Sequence, residues 1–193
     1  PYREDMIYIS VYRHPIDVHF SLLKHIANMK YDFLDFVAPP EPGAAFARFL
    51  ESPSTDTGTD DLTLASLLVH YRSFAKWAHL PNVYIFHYAD LTRDLTGHIR
   101  AYARAIGVPV TDELVDGIAK AASFGSMKQT TRDNTTPATQ SAFHEEHKFF
   151  DSASSQKWKG RLSDTEVAAY SARISELASA EEIAFLENGH GAG

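Results

Sequence analysis

Two apolar runs constrain this chain more than anything else in it. Residues 7–12 (IYISVY) and 82–88 (NVYIFHY) are rich in β-branched and aromatic side chains, and each passes directly into a helical pattern. Between them lies a long helical segment with Leu64, Leu67, Leu68, Tyr71, Ala75 and Ala78 on one face. Strands kept apart by helices pair in parallel, because a parallel pair needs a long crossover, and the resulting sheet is covered by those helices. The expected class is therefore α/β, a parallel sheet flanked by helices, with the first strand over about 6–12 and buried.

The remaining punctuation fits that plan. Pro15 suits the first turn of a helix, where its missing N–H costs nothing, and Val18, Leu22, Ile26 and Met29 recur at helical spacing after it. Residues 37–61, with Pro39, Pro40, Pro42, Gly43 and the polar run SPSTDTGTDD, read as a surface loop holding a short helical piece near Ala44 to Leu50. After the second strand, Leu91, Leu95, Ile99, Tyr102 and Ile106 predict one helix, stopped by Gly107 and Pro109. Thr111 caps a helix over about 112–122, and residues 129–157 read as polar and irregular. The tetrad SDTE at 163–166 is a capping box for a last helix carrying Val167, Ile174 and Leu177. There is no internal repeat.

Composition narrows the function classes. The 193 residues, 44% hydrophobic and 22% charged, suffice for one domain spanning 1–193 with an ordinary core. A net charge of −7 argues against a nucleic acid or an anionic membrane as the main partner. With no cysteine there is no disulfide, thiol nucleophile or cysteine-ligated metal, which fits a cytoplasmic protein. No apolar run approaches the ~20 residues of a membrane span. The chain starts at Pro1 and enters a strand within a few residues, so an N-terminal part is expected upstream.

The end of the first strand is where chemistry is expected. In an open parallel sheet ligands sit beyond the carboxyl ends of the strands. Arg13 stands at such an end, and the helix that follows aims its N-terminus, with free N–H groups and partial positive charge, at the same place. The guanidinium is a forked, permanent cation suited to phosphate, and Ser21, eight residues after Arg13, adds a hydroxyl. Asp17 would repel an anion and is expected to face elsewhere. A surface Arg and a helix-flank Ser fit the spacing equally well.

A family resemblance separates these readings. The stretch YISVYRHPIDVHFSLLKH resembles the 3′-phosphate-binding segment of the sulfotransferases that use 3′-phosphoadenosine 5′-phosphosulfate (PAPS): a strand, Arg-x-Pro-x-Asp, and a Ser eight residues after the Arg, matched by Arg13, Pro15, Asp17 and Ser21. VYIFHYADLTRDLTGHIRAYARAIGV is similar to the family's strand, Tyr, acidic residue and helix, which puts Tyr88 against adenine. ASFGSMKQ resembles the Ser-Phe-x-x-Met-Lys stretch, with Phe124 near the base and Met127 behind it, and KWKGRLSDTE resembles the Trp that precedes a Lys and a capped helix. By residue type alone Tyr88 and Phe124 are equally core aromatics.

The resemblance implies a sulfotransferase fold of the P-loop nucleotide kinase type, present in part as the C-terminal two-thirds. It implies transfer of a sulfuryl group from PAPS to a hydroxyl or amine of a small-molecule, lipid or glycan acceptor, release of adenosine 3′,5′-bisphosphate (PAP), and no metal. The implied binding residues are Arg13, Ser21, Tyr88, Phe124 and Met127. The family's 5′-phosphosulfate loop and catalytic His lie upstream of the matched segment, so no catalytic residue is expected in this chain, and residues 1–193 alone are expected to be inactive. One departure stands out: Asp151, Ser152 and Ala153 occupy the place of the family's Arg-Lys-Gly, so either Lys148 or Lys157 substitutes as the cation or PAPS binding is weakened. That change also fits a noncatalytic nucleotide- or partner-binding domain of the same fold. A kinase-like phosphotransferase lacks its Gly-x-x-x-x-Gly-Lys-Ser/Thr loop here.

Other conspicuous residues read as ordinary. HEEH at 144–147 lacks the spacing of two His four apart on one helical face. Phe74 and Trp77 read as core residues, with the lining of an acceptor pocket as the second possibility.

Overall fold

The computed structural model describes residues 2–30, 41–51, 63–134, 142–145, 148, 155–156 and 158–190. Strand β1 (Tyr8–Tyr12) leads into helix α1 (Pro15–Asn28), followed by α2 (Pro42–Glu51) and α3 (Leu64–Ala75). Strand β2 (Val83–His87) leads into α4 (Tyr88–Arg93), α5 (Leu95–Ala105), α6 (Asp112–Ala121), α7 (Phe124–Asp133), α8 (Asp164–Leu177) and α9 (Ala180–Asn188). β1 and β2 pair in parallel, in register from Tyr8 beside Val83 to Tyr12 beside His87. Both strands therefore end at the same edge, and the first residues of α1 and α4 start there.

Alternation decides what each face of the sheet meets. On one face Tyr12 packs against Tyr71 of α3 and Phe185 of α9, and its hydroxyl meets His70 Nδ1 at 3.1 Å. On the other, Phe86 lies 4.2 Å from the Tyr102 ring of α5. The expectation of a fully buried first strand holds for one face only. Ser10 and Tyr12 are buried, whereas Ile7, Ile9 and Val11 are 43%, 39% and 49% exposed, because α5 covers β2 and leaves the same face of β1 open among the described residues.

The main core lies beside the sheet. Ile16 of α1, Phe46, Phe49 and Leu50 of α2, Leu64 of α3, and Tyr170 and Ile174 of α8 form one cluster, with Trp158 packed against it. Each such side chain contributes roughly 1.5–3 kcal/mol on burial, before the cost of ordering the chain. Ile16 is wholly enclosed, which anchors the first turn of α1 four residues after the last residue of β1.

Three element assignments need correction. The helix predicted after β2 is two helices, broken at Asp94. Its carboxylate accepts from Gly97 N–H, and a Cβ on Gly97 would collide with that carboxylate. Residues 124–133, partly assigned to the irregular stretch, are helical, with Ser123 as N-cap. SDTE does not open the last helix, since Ser179 and Glu182 form a second capping box that starts α9. Among the described residues, no helix is long and apolar enough to cross a membrane.

Candidate functional site

The two strand ends are built alike. In each, a His terminates the extended run and caps the helix: His14 Nδ1 accepts from Ile16 N–H (3.2 Å) and His87 Nδ1 accepts from Ala89 N–H (3.2 Å). His87 Nε2 lies 3.1 Å from the Leu186 carbonyl, so its proton sits on Nε2, leaving Nδ1 as the acceptor. Burial pushes the His14 imidazole down to about 4, against the attraction of Asp17. Burial also lowers His87, against its bond to the Leu186 carbonyl. Neutral imidazoles suit both positions, because a cap must accept a hydrogen bond at a helix end that already carries positive potential.

Arg13 lies between these caps. Its side chain is 22% exposed, its guanidinium carbon is 4.4 Å from the centroid of the Tyr88 ring, and its Nε is 3.6 Å from Asp17 Oδ2. A permanent cation, an aromatic face and the positive end of α1 thus meet at one sheet edge. That combination suits an anion carrying a planar ring. The N–H groups of α1 contribute less than the sequence suggested, since Pro15 has none and that of Ile16 is taken by His14.

Asp17 is enclosed beside Arg13. Its side chain is 1% exposed, and Oδ2 accepts from Gln156 N–H at 2.9 Å. Among the described residues Gln156 is the one non-glycine residue with positive φ, 61°. Trp158, two residues on, places its ring 5.5 Å from that of His14.

The other predicted site residues are placed as follows. Ser21 is half-buried on α1, two turns beyond Arg13. Phe124 opens α7 with Lys128 over its ring, and Met127 is exposed one turn later, its carbonyl accepting from Thr131. Arg13 and Tyr88 are thus the predicted pair that the structure joins directly. Asp151, Ser152, Ala153 and Lys157 lie outside the described residues, and Lys148 pairs with Glu145. The residues of this strand-end arrangement that sequence reasoning missed are His87 and Gln156. The first had a signal, a His at the strand end two residues before an uncapped N–H, as in His14-Pro15-Ile16; the second had none, since its role is that of a backbone amide.

Two conspicuous features lie elsewhere. Trp77, expected in the core, is 43% exposed. With Tyr2, Tyr8, Phe74 and Val83 it lines an open cavity of about 370 Å³ at the N-terminal ends of the strands, the far edge from Arg13. His144 N–H donates to the Asn28 carbonyl, tying that segment to the end of α1. No group of three or more His, Cys, Asp or Glu among the described residues could hold a metal ion.

The family profile described as "Sulfotransferase domain" matches residues 2–180. The chain belongs to the sulfotransferase family. This sulfotransferase chain is 29% identical over 209 residues to a glycolipid sulfotransferase of Mycobacterium bovis, and 29% identical over 208 residues to one of Mycobacterium tuberculosis. Each match covers 94% of the chain and 64% of the relative, so the chain spans under two-thirds of their length. Its fold resembles that of mouse sulfotransferase SULT7A1 complexed with PAP, with a TM-score of 0.71, 16% identity, and 92% and 60% of the two chains covered. It also resembles retinol dehydratase in complex with androsterone and PAP, with a TM-score of 0.67, 18% identity, and 89% and 47% covered. These likenesses establish the sulfotransferase fold.

Proposed function

We propose that this chain forms the 3′-phosphate and adenine half of a PAPS site in an enzyme that sulfates a hydroxyl or amine of an acceptor. The observation that carries the reading is Arg13 lying across Tyr88 where both parallel strands end. The residues fit the nucleotide's chemistry. Arg13 offers charge to the 3′-phosphate with the dipole of α1 behind it, Ser21 offers a hydroxyl, and Tyr88, Phe124 and Met127 offer apolar faces to the base. When bound, PAPS supplies the sulfuryl group: the acceptor atom attacks sulfur, the bond from sulfur to the 5′-phosphate oxygen breaks, and PAP leaves.

The residues of this chain contribute binding and orientation, in which much of the catalysis of such group transfers resides. None of them is assigned as general base. A glycolipid acceptor is supported by the mycobacterial relatives, which carry that description.

Calorimetric titration of PAP into the protein and into Arg13→Ala tests the reading. Affinity lowered by about tenfold or more, roughly 1.4 kcal/mol, is the expected result. Absence of binding by the unmodified protein would favour a noncatalytic domain instead, the reading that Asp151, Ser152 and Ala153 support.

A further inference from the structure

We propose that Asp17 is a positioning residue of the nucleotide site, in which a single carboxylate oxygen holds Gln156 against the first turn of α1 beside Arg13. The inference rests on the donor-site reading above and adds to it a residue that touches no ligand.

Three observations carry it. Asp17 Oδ2 stands 2.9 Å from Gln156 N and 3.6 Å from Arg13 Nε, so one atom connects the proposed phosphate-binding cation to a chain segment 139 residues away in sequence. Asp17 is almost wholly buried, at 3% exposure, and a carboxylate taken from water needs such partners to stay there. Gln156 holds φ at 61°, a conformation that disfavours side chains with a Cβ, and strained backbone persists where its surroundings hold it. The accepting oxygen fixes the strained residue by its own N–H. Trp158 completes the clamp two residues on, packed on the His14 ring and against the Ile16 cluster.

The clamp explains a negative charge beside a residue meant for an anion. Asp17 reduces the attraction of Arg13 for phosphate, yet it fixes the direction in which the guanidinium lies, over the Tyr88 ring. It also brings the approach to Trp158 back to the strand end. Orientation is the gain, and preorganised groups lose less on binding.

The test pairs amide hydrogen exchange at Gln156 with PAP titration, using Asp17→Ala, Asp17→Asn and Arg13→Ala. Asp17→Ala is expected to speed exchange at the Gln156 amide and to weaken PAP by about tenfold, the scale of a lost hydrogen bond to a charged group. Asp17→Asn keeps an accepting oxygen and is expected to keep Gln156 protected, with PAP affinity within about threefold of the parent. It serves as the informative variant if Asp17→Ala does not fold. Arg13→Ala is expected to lose PAP and keep the Gln156 protection.

Unchanged exchange in Asp17→Ala overturns the clamp. Faster exchange with unchanged PAP affinity overturns the positioning role, as does an Asp17→Asn variant that keeps Gln156 protected but loses PAP. If the parent itself binds no PAP, the donor reading fails and the positioning role falls with it. That case is distinct, because it shows in the parent before any substitution.

Discussion

The guanidinium carbon of Arg13 lies over the Tyr88 ring, 4.4 Å from its centroid, and so joins the end of β1 to the start of α4. Neither residue is adjacent to the other in sequence; the parallel register of Tyr12 beside His87 brings them together. A half-buried contact of this kind is worth about 1 kcal/mol.

In the proposed donor site Tyr88 serves Arg13 as well as the adenine base. Tyr88→Leu is expected to weaken PAP by about fivefold to tenfold, through the lost contact with Arg13 and the lost ring surface. Tyr88→Phe keeps the ring and is expected to bind within about twofold of the parent. Titration of both variants checks this, and equal loss in the two would show that the hydroxyl, not the ring, is the active feature.

Stability is expected to fall on mild acidification because of two imidazoles. Burial holds His14 and His19 at about 4, below their ordinary 6.5. For a depressed His the unfolded chain takes the proton first. The stabilisation is complete above pH 6.5, declines as pH falls, and is gone below about 4. Each group contributes on the order of 2–3 kcal/mol across that interval. His19 packs against the rings of both Phe46 and Phe49, at 5.4 and 4.7 Å. His19→Leu is expected to flatten the acid slope in urea unfolding curves taken from pH 7 to 4, and an unaltered slope would refute the assignment.

Arg72 of α3 ties down the junction of the last two helices. Its Nε and terminal nitrogen donate to both Glu182 oxygens at 2.7 and 2.8 Å, and a third bond goes to the Leu177 carbonyl. That pairing, against some cost of burial, brings Glu182 down to about 2. Its stabilisation is present above the ordinary carboxylate value and is lost as pH falls towards 2. Because Arg72 is half exposed, Arg72→Ala is expected to lower stability by only about 1 kcal/mol. Thermal unfolding near neutral pH and at pH 2–3 checks this; the difference between parent and variant should shrink at the lower pH.

What could be read from the residues divides along a physical line. Strand and helix patterns depend on local apolar periodicity, which is why β1, α1, α3, α6 and α8 stand close to where the sequence places them. Arg13 was legible as a candidate because ligands of a parallel sheet sit beyond its strand ends, though a surface Arg fitted the pattern equally well, and Tyr88 became a candidate only through the family resemblance. The break at Asp94 was hidden because Leu95 and Ile99 continue the helical period across it, and the cap depends on Gly97 admitting a carboxylate. The clamp on Gln156 was hidden for another reason. It uses a backbone N–H and a left-handed residue with no Gly or Asn to mark it. The open face of β1 was invisible too, since Ile7, Ile9 and Val11 have the composition of a buried strand whatever lies against them.

The C-terminal end of α9 is expected to control α4, and through it Tyr88. Asp90 is buried, its Oδ1 accepts from Arg93 at 2.8 Å, and its Oδ2 accepts from both the backbone N–H and Nδ1 of His190 at 3.0 Å. Burial raises the Asp90 carboxyl, but the bonds from His190 and Arg93 outweigh it and hold the group below its usual range. The chain reaches His190 through Gly189, whose φ is 72°, and a Cβ there would stand 2.6 Å from Asp90 Oδ2. Gly189→Ala thus meets two obstacles, a left-handed backbone and a collision with the carboxylate. The expected loss is about 1–3 kcal/mol of stability. Because α4 opens with Tyr88, releasing Asp90 should also loosen the ring under Arg13 and weaken PAP by about twofold to fivefold. Asp90→Asn separates the two effects: it leaves Gly189 unstrained, keeps an oxygen for one donor and removes the charge that His190 and Arg93 share. Unfolding curves and PAP titration on both variants decide the matter. A Gly189→Ala protein as stable as its parent would mean that the end of α9 moves aside freely and does not hold α4.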